Sequence, residues 1–414
     1  MKHWIILPIV LFATMLQLNA QEMPYYKFVR YSTNVLHYDS ASPYINRLFD
    51  RWEQVQTSHH GNLNIVHIGS SHVQAGTLTN TVRCLLLTDN PDLVGPRGMI
   101  FPYSAAARCN NPADYRVHCQ QRMILTRNVY RDHTYPLGLC GIAVTASDTT
   151  TEISIQLNEP RVDYATTRMV LLGHSDQGIV PRLRVANREL YPSYIDNTTD
   201  RYLFNLESVV GRQHKGIDSF TVVLPCREGD QFTVTGILLD NRRPGFSYHS
   251  IGVNGASLGD YLRCDHFVRD LRLLHPDAVV FGIGINDAIT TSFDTAAFRR
   301  NYLKLIDSVR AVNPDCAFIF ITNNDSFRKV GRRRYHVNPN GELAREVFYR
   351  LAKDTDGAVW DQFEVMGGLN SMDKWHKAGL AQKDRVHFTT AGYQLVGSLF
   401  YQALYDAYKK HRSR

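Results

Sequence analysis

Residues 64–75 read Asn64-Ile65-Val66-His67-Ile68-Gly69-Ser70-Ser71-His72-Val73-Gln74-Ala75. Leu63, Ile65, Val66 and Ile68 make a short buried strand, Gly69 breaks it, and Val73 to Thr88 takes up helical spacing. A strand that turns straight into a helix puts the turn at the carboxyl edge of a sheet, where open α/β folds place their chemistry. The helix start adds free backbone N–H groups and a positive dipole end. Ser71 therefore joins a hydroxyl to a nearby oxyanion donor, as a nucleophile requires. Ser70 and Ser71 would also serve simply as helix caps, so the rest of the chain must decide.

Working outward, Ser42-Pro43 starts a helix, with serine as N-cap and proline in the first turn. Ile45, Leu48, Phe49, Trp52 and Val55 share one face of it. Residues 21–41 show no firm period and read as an extended lead-in. After Thr88 the pattern changes. From about residue 106 to 240, short alternating runs (Ile153, Ile155, Leu157; Phe220, Val222, Leu224; Phe232, Val234) are separated by turn formers such as Asn158-Glu159-Pro160 and Glu228-Gly229-Asp230. That pattern predicts an inserted β-sandwich. Beyond it come an apolar strand at 277–284, a helix over 295–312, a strand at 317–321, a helix over 342–353, a short strand at 358–360 and a closing helix over 391–408. Apolar strands alternating with helices predict a parallel sheet covered on both faces. The expected division is a leader at 1–20, an α/β domain at 21–105 and 241–414, and the β insertion at 106–240.

The leader is read from Lys2 and His3 followed by an apolar run, Trp4 to Leu18, ending in Leu18-Asn19-Ala20. This is a secretory pattern, too short for a membrane span. It predicts an exported protein, periplasmic or secreted, with no stable membrane insertion after cleavage. The seven cysteines are odd in number and contain no CxxC pair, so at least one thiol is free or pairs between chains, and zinc is not suggested. The formal charge of +7 suits an anionic polymer or mere solubility equally. Basic and aromatic residues are not interleaved as a nucleic-acid surface would need. Oligomeric state is not readable.

Three more stretches fall at sheet edges. Ser250-Ile251-Gly252-Val253-Asn254-Gly255-Ala256-Ser257 has two glycines three apart, which let backbone approach a bound group. Gly282-Ile283-Gly284-Ile285-Asn286-Asp287 follows a strand directly; Asn286 can donate its amide to an oxyanion, and Asp287 can cap the next helix. In Asp384-Arg385-Val386-His387 one turn can present a carboxylate and an imidazole together, so that His387 takes a proton from Ser71 and Asp384 fixes its tautomer. Each stretch alone also reads as ordinary turn or cap structure.

Taken together and in this order, Gly-x-Ser, Gly-x-x-Gly, Gly-x-Asn-Asp and Asp-x-x-His resemble the four blocks of the SGNH (GDSL-type) hydrolases, over residues 60–90 and 245–410. The resemblance implies a flavodoxin-like three-layer α/β/α fold acting on esters. It also implies Ser71 as nucleophile, His387 as base and Asp384 as its partner, with an oxyanion hole from the N–H groups of Ser71 and Gly255 and the Asn286 side chain. Ser70 stands where the family commonly has aspartate, which leaves Ser70 as a second candidate hydroxyl. Ser71-His72, the β insertion and Val365-Met366-Gly367-Gly368 ahead of Trp375 are similar to bacterial peptidoglycan O-acetylesterases, whose insertion resembles a carbohydrate-binding module.

The expected reaction is removal of a short acyl group, acetyl above all, from a glycan or cell-wall polymer through an acyl-enzyme, with no metal or other cofactor. Arg328, Arg332, Arg333, Arg334 and Tyr335 lie after the strand ending at Ile321 and are expected to overhang the site and hold an acidic or sugar polymer. The same triad would serve acyl transfer to a polysaccharide, and a glycan-binding protein with a dead site is the non-enzymatic alternative.

Overall fold

The computed structural model describes residues 23–106, 109–133, 135–157, 162, 164–210, 217–332 and 334–414. The expected leader at 1–20 and the turn at 158–160 lie outside them. One sheet has six strands: β1 (Leu36–Tyr38), β2 (Asn62–Gly69), β3 (Gly245–Gly252), β4 (Ala278–Gly282), β5 (Ala317–Ile321) and β6 (Ala358–Trp360). Their order is β1-β6-β5-β4-β2-β3, with β2 to β6 parallel and β1 antiparallel at the edge. Counting only the parallel strands along the chain, this is the flavodoxin-like order 2-1-3-4-5. Its direction of winding reverses between β2 and β4, and a crevice opens at the carboxyl ends of such a pair.

The helices include α1 (Pro43–Ser58), α2 (Ser71–Gln74), α3 (Thr77–Thr88), α4 (Thr295–Arg310), α5 (Asn340–Thr355) and α6 (Thr390–Arg412). α1 is capped as expected: Ser42 Oγ accepts the Ile45 N–H, and Ile45, Leu48, Phe49, Trp52 and Val55 are buried. Successive residues of β2 point to opposite faces. Leu63 and Ile65 pack with α1, α3 and α6, while Val66 and Ile68 join the cluster that holds α4 and α5. Both faces are covered, which is why the strands are apolar throughout.

Three sequence readings change in the structure. The helix expected over 73–88 is two helices, broken at Gly76 (φ +76°), where a Cβ would lie 2.5 Å from Pro112 Cβ. The lead-in at 21–41 contributes β1 to the sheet. The third change is β3, Gly-Phe-Ser-Tyr-His-Ser-Ile-Gly, which carries too many polar side chains to read as a buried strand. Three of those side chains are partnered: Tyr248 Oη meets His67 Nδ1 at 2.8 Å, His249 Nδ1 accepts the Met99 N–H at 3.2 Å, and Ser250 Oγ meets Thr79 Oγ1 at 3.0 Å.

The β-rich part forms two antiparallel sheets. One orders Arg188–Leu190, Arg182–Val185, Ser219–Leu224, Thr151–Leu157 and Tyr115–Cys119. The other is built on Gln231–Asp240, flanked by Arg168–His174 and Ile142–Ser147, and it takes in Gly98–Ile100 from ahead of residue 106. Inward residues such as Ile153, Ile155, Val222 and Phe232 share a core with one face of the open sheet. A buried ion cluster ties the parts together: Asp114 pairs with Arg83 of α3 and with Arg97. Burial alone would raise the Asp114 carboxyl, but the two guanidiniums outweigh it and hold the carboxyl below its usual range. Cys109, Cys119, Cys140, Cys226, Cys264 and Cys316 are free thiols. Among the described residues no helix is long and apolar enough to cross a membrane.

Candidate active site

Ser71 is the first residue of α2, directly after β2. Its Oγ lies 2.8 Å from His387 Nε2. His387 Nδ1 in turn lies 2.7 Å from Asp384 Oδ2, and Asp384 Oδ1 accepts the N–H groups of Val386 and His387 at 3.0 Å each. Half-burial of Asp384 works to raise its carboxyl, but the ring and the two backbone N–H groups prevail and hold it at about 2. The carboxylate is thus ionised at neutral pH and can only accept. The imidazole must then carry its proton on Nδ1, leaving Nε2 bare toward the serine.

The tight turn comes from Arg385, held at φ +55°. Its guanidinium lies over the rings of Phe327 (5.5 Å) and Tyr335 (5.3 Å) and pairs with Asp373 at 3.2 Å, while its carbonyl accepts the Phe327 N–H at 3.1 Å. These contacts fix the backbone that presents both Asp384 and His387.

Ser70, the second candidate hydroxyl, is fully buried, whereas Ser71 lines an open cavity of about 450 Å³. Gly255 and Asn286 line the same cavity. Gly255 takes φ +82°, and its loop is held on three sides. Gln74 Oε1 accepts the Asn254 N–H at 2.7 Å, Asn286 Nδ2 donates to the Ala256 carbonyl at 2.9 Å, and Asp287 accepts the Leu258 N–H at 3.3 Å. Gln74 also donates through Nε2 to the Asn110 carbonyl at 3.2 Å, so the β-rich part reaches the site. The rest of the wall is mostly carboxamide: Gln74, Asn110, Asn111, Asn254 and Gln382. His387 is the one imidazole among the lining side chains.

Sequence reasoning missed this amide wall, because Asn and Gln residues scattered over four segments have no spacing to betray them. His72 is also new as a neighbour. It is half-buried, its Nδ1 meets Tyr393 Oη at 2.8 Å, and its ring lies 5.3 Å from that of His387. Burial, with the His387 ring beside it, pushes His72 down to about 3, so it is neutral. The basic residues expected over the site do not line its cavity. Arg328 and Tyr335 lie on a hairpin, Phe327–Lys329 paired with Tyr335–Val337, whose tip includes Arg332 and Arg334. None of these four residues lines the cavity, and Arg333 lies outside the described residues.

Asp287 does not cap the next helix, which Asp294 caps; its carboxylate accepts the Leu258 N–H at the start of the short helix Leu258–Tyr261. It is largely buried beneath the Leu258 turn, and that burial pushes it up to about 7, with Asp260 adding to the rise. Between about pH 4 and 7 the folded chain therefore holds a proton that the unfolded chain has lost, so stability falls as pH rises through this window. Asp287→Asn keeps an acceptor for Leu258 and removes the titration. We expect urea unfolding at pH 8 to show the variant more stable by about 2–4 kcal/mol, the gain vanishing at pH 4. Equal pH slopes for the two proteins would contradict this.

Residues 218–395 match the model of the GDSL-like lipase/acylhydrolase family. No curated protein sequence matches the chain. Among solved structures, a peptidoglycan O-acetylesterase aligns with TM-score 0.71 at 20% identity, covering 90% of this chain and 97% of that one. An acetyl xylan esterase aligns with TM-score 0.31 at 20% identity over 38% of this chain and 81% of its own. A lipase/acylhydrolase from Enterococcus faecalis aligns with TM-score 0.31 at 22% identity over 39% and 77%. The family match spans 178 of the 414 residues, and the alignment over 90% of the chain gives it the fold of that esterase, a flavodoxin-like sheet carrying an added β-rich part.

Proposed function

We propose that this protein is an exported serine esterase that removes O-acetyl groups from a cell-envelope glycan, peptidoglycan above all. The observation that carries the reading is the unbroken line of hydrogen bonds from Asp384 through His387 to Ser71, ending beside an open, amide-lined cavity. Ser71 Oγ attacks the acetyl carbonyl while His387 Nε2 takes its proton. The N–H groups of Ser71 and Gly255 and the Asn286 amide receive the oxyanion, each contributing about 3–4 kcal/mol. His387 then protonates the departing sugar oxygen, and water, activated by the same ring, releases acetate from the acetyl-enzyme.

The choice of glycan is supported by the cavity. Carboxamides offer paired donors and acceptors that match sugar hydroxyls and amides, and a cavity walled by them is poorly suited to a long acyl chain. The protein whose fold aligns over most of the chain acts on O-acetylated peptidoglycan by its name. We read residues 106–240 as an insertion that completes the cavity wall through Asn110 and Asn111. Acetate release from O-acetylated peptidoglycan and from O-acetylated xylan, measured beside turnover of p-nitrophenyl butyrate, tests this. We expect peptidoglycan to be preferred over xylan by at least about 10-fold in kcat/KM, a difference of roughly 1.4 kcal/mol in transition-state binding. Turnover of the butyrate ester without acetate release from either polymer would rule the glycan reading out.

A further inference from the structure

The cavity recognises neutral groups, yet the chain holds a basic segment beside it that the chemistry at Ser71 does not use. On the 327–337 hairpin, Lys329, Arg332 and Arg334 are exposed and Arg328 is half-buried, and none of the four has an acidic partner among the described residues. The base of the hairpin is fastened at Phe327 to the turn that carries Asp384 and His387, through its ring on Arg385 and its N–H, and Tyr335, opposite Lys329 at the turn end of the ladder, also lies on Arg385. At about 3.3 Å per residue, the tip stands roughly 10–15 Å from that base. A polymer lying across the cavity with its ester at Ser71 would therefore pass these charges one or two sugar units away. An unpaired basic cluster so placed raises the local concentration of an oppositely charged chain.

We propose that the hairpin is a docking arm for a carboxylate-bearing glycan: carboxylates flanking the acylated sugar pair with Arg328, Lys329, Arg332 and Arg334, while the amide wall takes the neutral sugar itself. The proposal rests on the esterase reading for the position of the sugar, but it concerns binding and is tested without turnover. Exposed ion pairs are individually weak and screened by salt, so four of them predict a preference of about 5- to 50-fold, present at low ionic strength only.

The test uses Ser71→Ala protein, which holds polymer without cutting it, and two non-acetylated probes, polygalacturonate (anionic) and glucomannan (neutral). Dissociation constants are measured at about 0.01 M and 1 M salt, where the Debye lengths are near 30 and 3 Å. Polygalacturonate should bind about 5- to 50-fold more tightly than glucomannan at low salt and equally at high salt. Adding R328S, K329S, R332S and R334S together should abolish the difference while the thermal unfolding curve superimposes on that of the parent. Equal binding of the two polymers at low salt, or a preference that survives the four substitutions, overturns the proposal. Loss of esterase activity plays no part in this readout, so a failed esterase assignment and a failed docking arm give different results.

Discussion

Ser71→Ala and His387→Ala should each lower kcat for p-nitrophenyl acetate by about 10⁴- to 10⁶-fold, and the double variant should be no worse than either single one. The reason lies in the single hydrogen bond, 2.8 Å long, through which the two residues act as a unit. Without the hydroxyl there is nothing to acylate; without the ring nothing takes the hydroxyl's proton. What survives is the effect of the oxyanion donors and of binding, which does not depend on either group. Fold should be unaffected by Ser71→Ala, since the side chain is half-buried and the lost bond is worth about 1 kcal/mol. Glycan binding should persist. Residual activity within about 10-fold of wild type would remove Ser71 as nucleophile, and equal inactivity of wild type and variant toward every acyl ester would favour a binding protein with a dead site.

How much of this was legible beforehand follows from where the information sits. The parallel strands β2, β4 and β5 were readable because both of their faces are buried and they must be apolar throughout. β3 was not, because three of its polar side chains find partners far along the chain, such as Ser250 with Thr79. The break at Gly76 was hidden for the same reason: it is made by the approach of Pro112, which no local window contains. Ser71, Asn286, Asp384 and His387 stood out because each follows a strand or precedes a helix in a short motif. Gln74 did not, although it bridges Asn254 and Asn110, since its role exists only once the β-rich part has folded against α2. The basic run at 328–335 was visible as charge, but its distance from the cavity was set by the Arg385 contacts, which sequence does not record.

Asp384→Asn should cost nearly as much as loss of the nucleophile, about 10⁴-fold in kcat, with little change in structure. Asp384 Oδ1 accepts two backbone N–H groups, from Val386 and His387, so the asparagine must turn its carbonyl oxygen to them. Its NH₂ is then left facing His387 Nδ1, where the carboxylate oxygen had stood at 2.7 Å. An NH₂ cannot accept, so the ring moves its proton to Nε2, and the nitrogen that should take the Ser71 proton is already occupied. The geometry is kept and the tautomer is wrong. Because hydrogen bonds hold the native carboxyl at about 2, wild-type Asp384 stays ionised from pH 4 upward, and the deficit should be constant across that range. Stability follows the opposite sign from Asp287: the depressed carboxyl stabilises the fold above about pH 4 and loses that contribution as pH falls toward 2. A steady-state profile of the variant from pH 5 to 9 decides the matter. A deficit under about 10-fold, or one that disappears at either end of the range, would mean that the carboxylate does not set the imidazole tautomer.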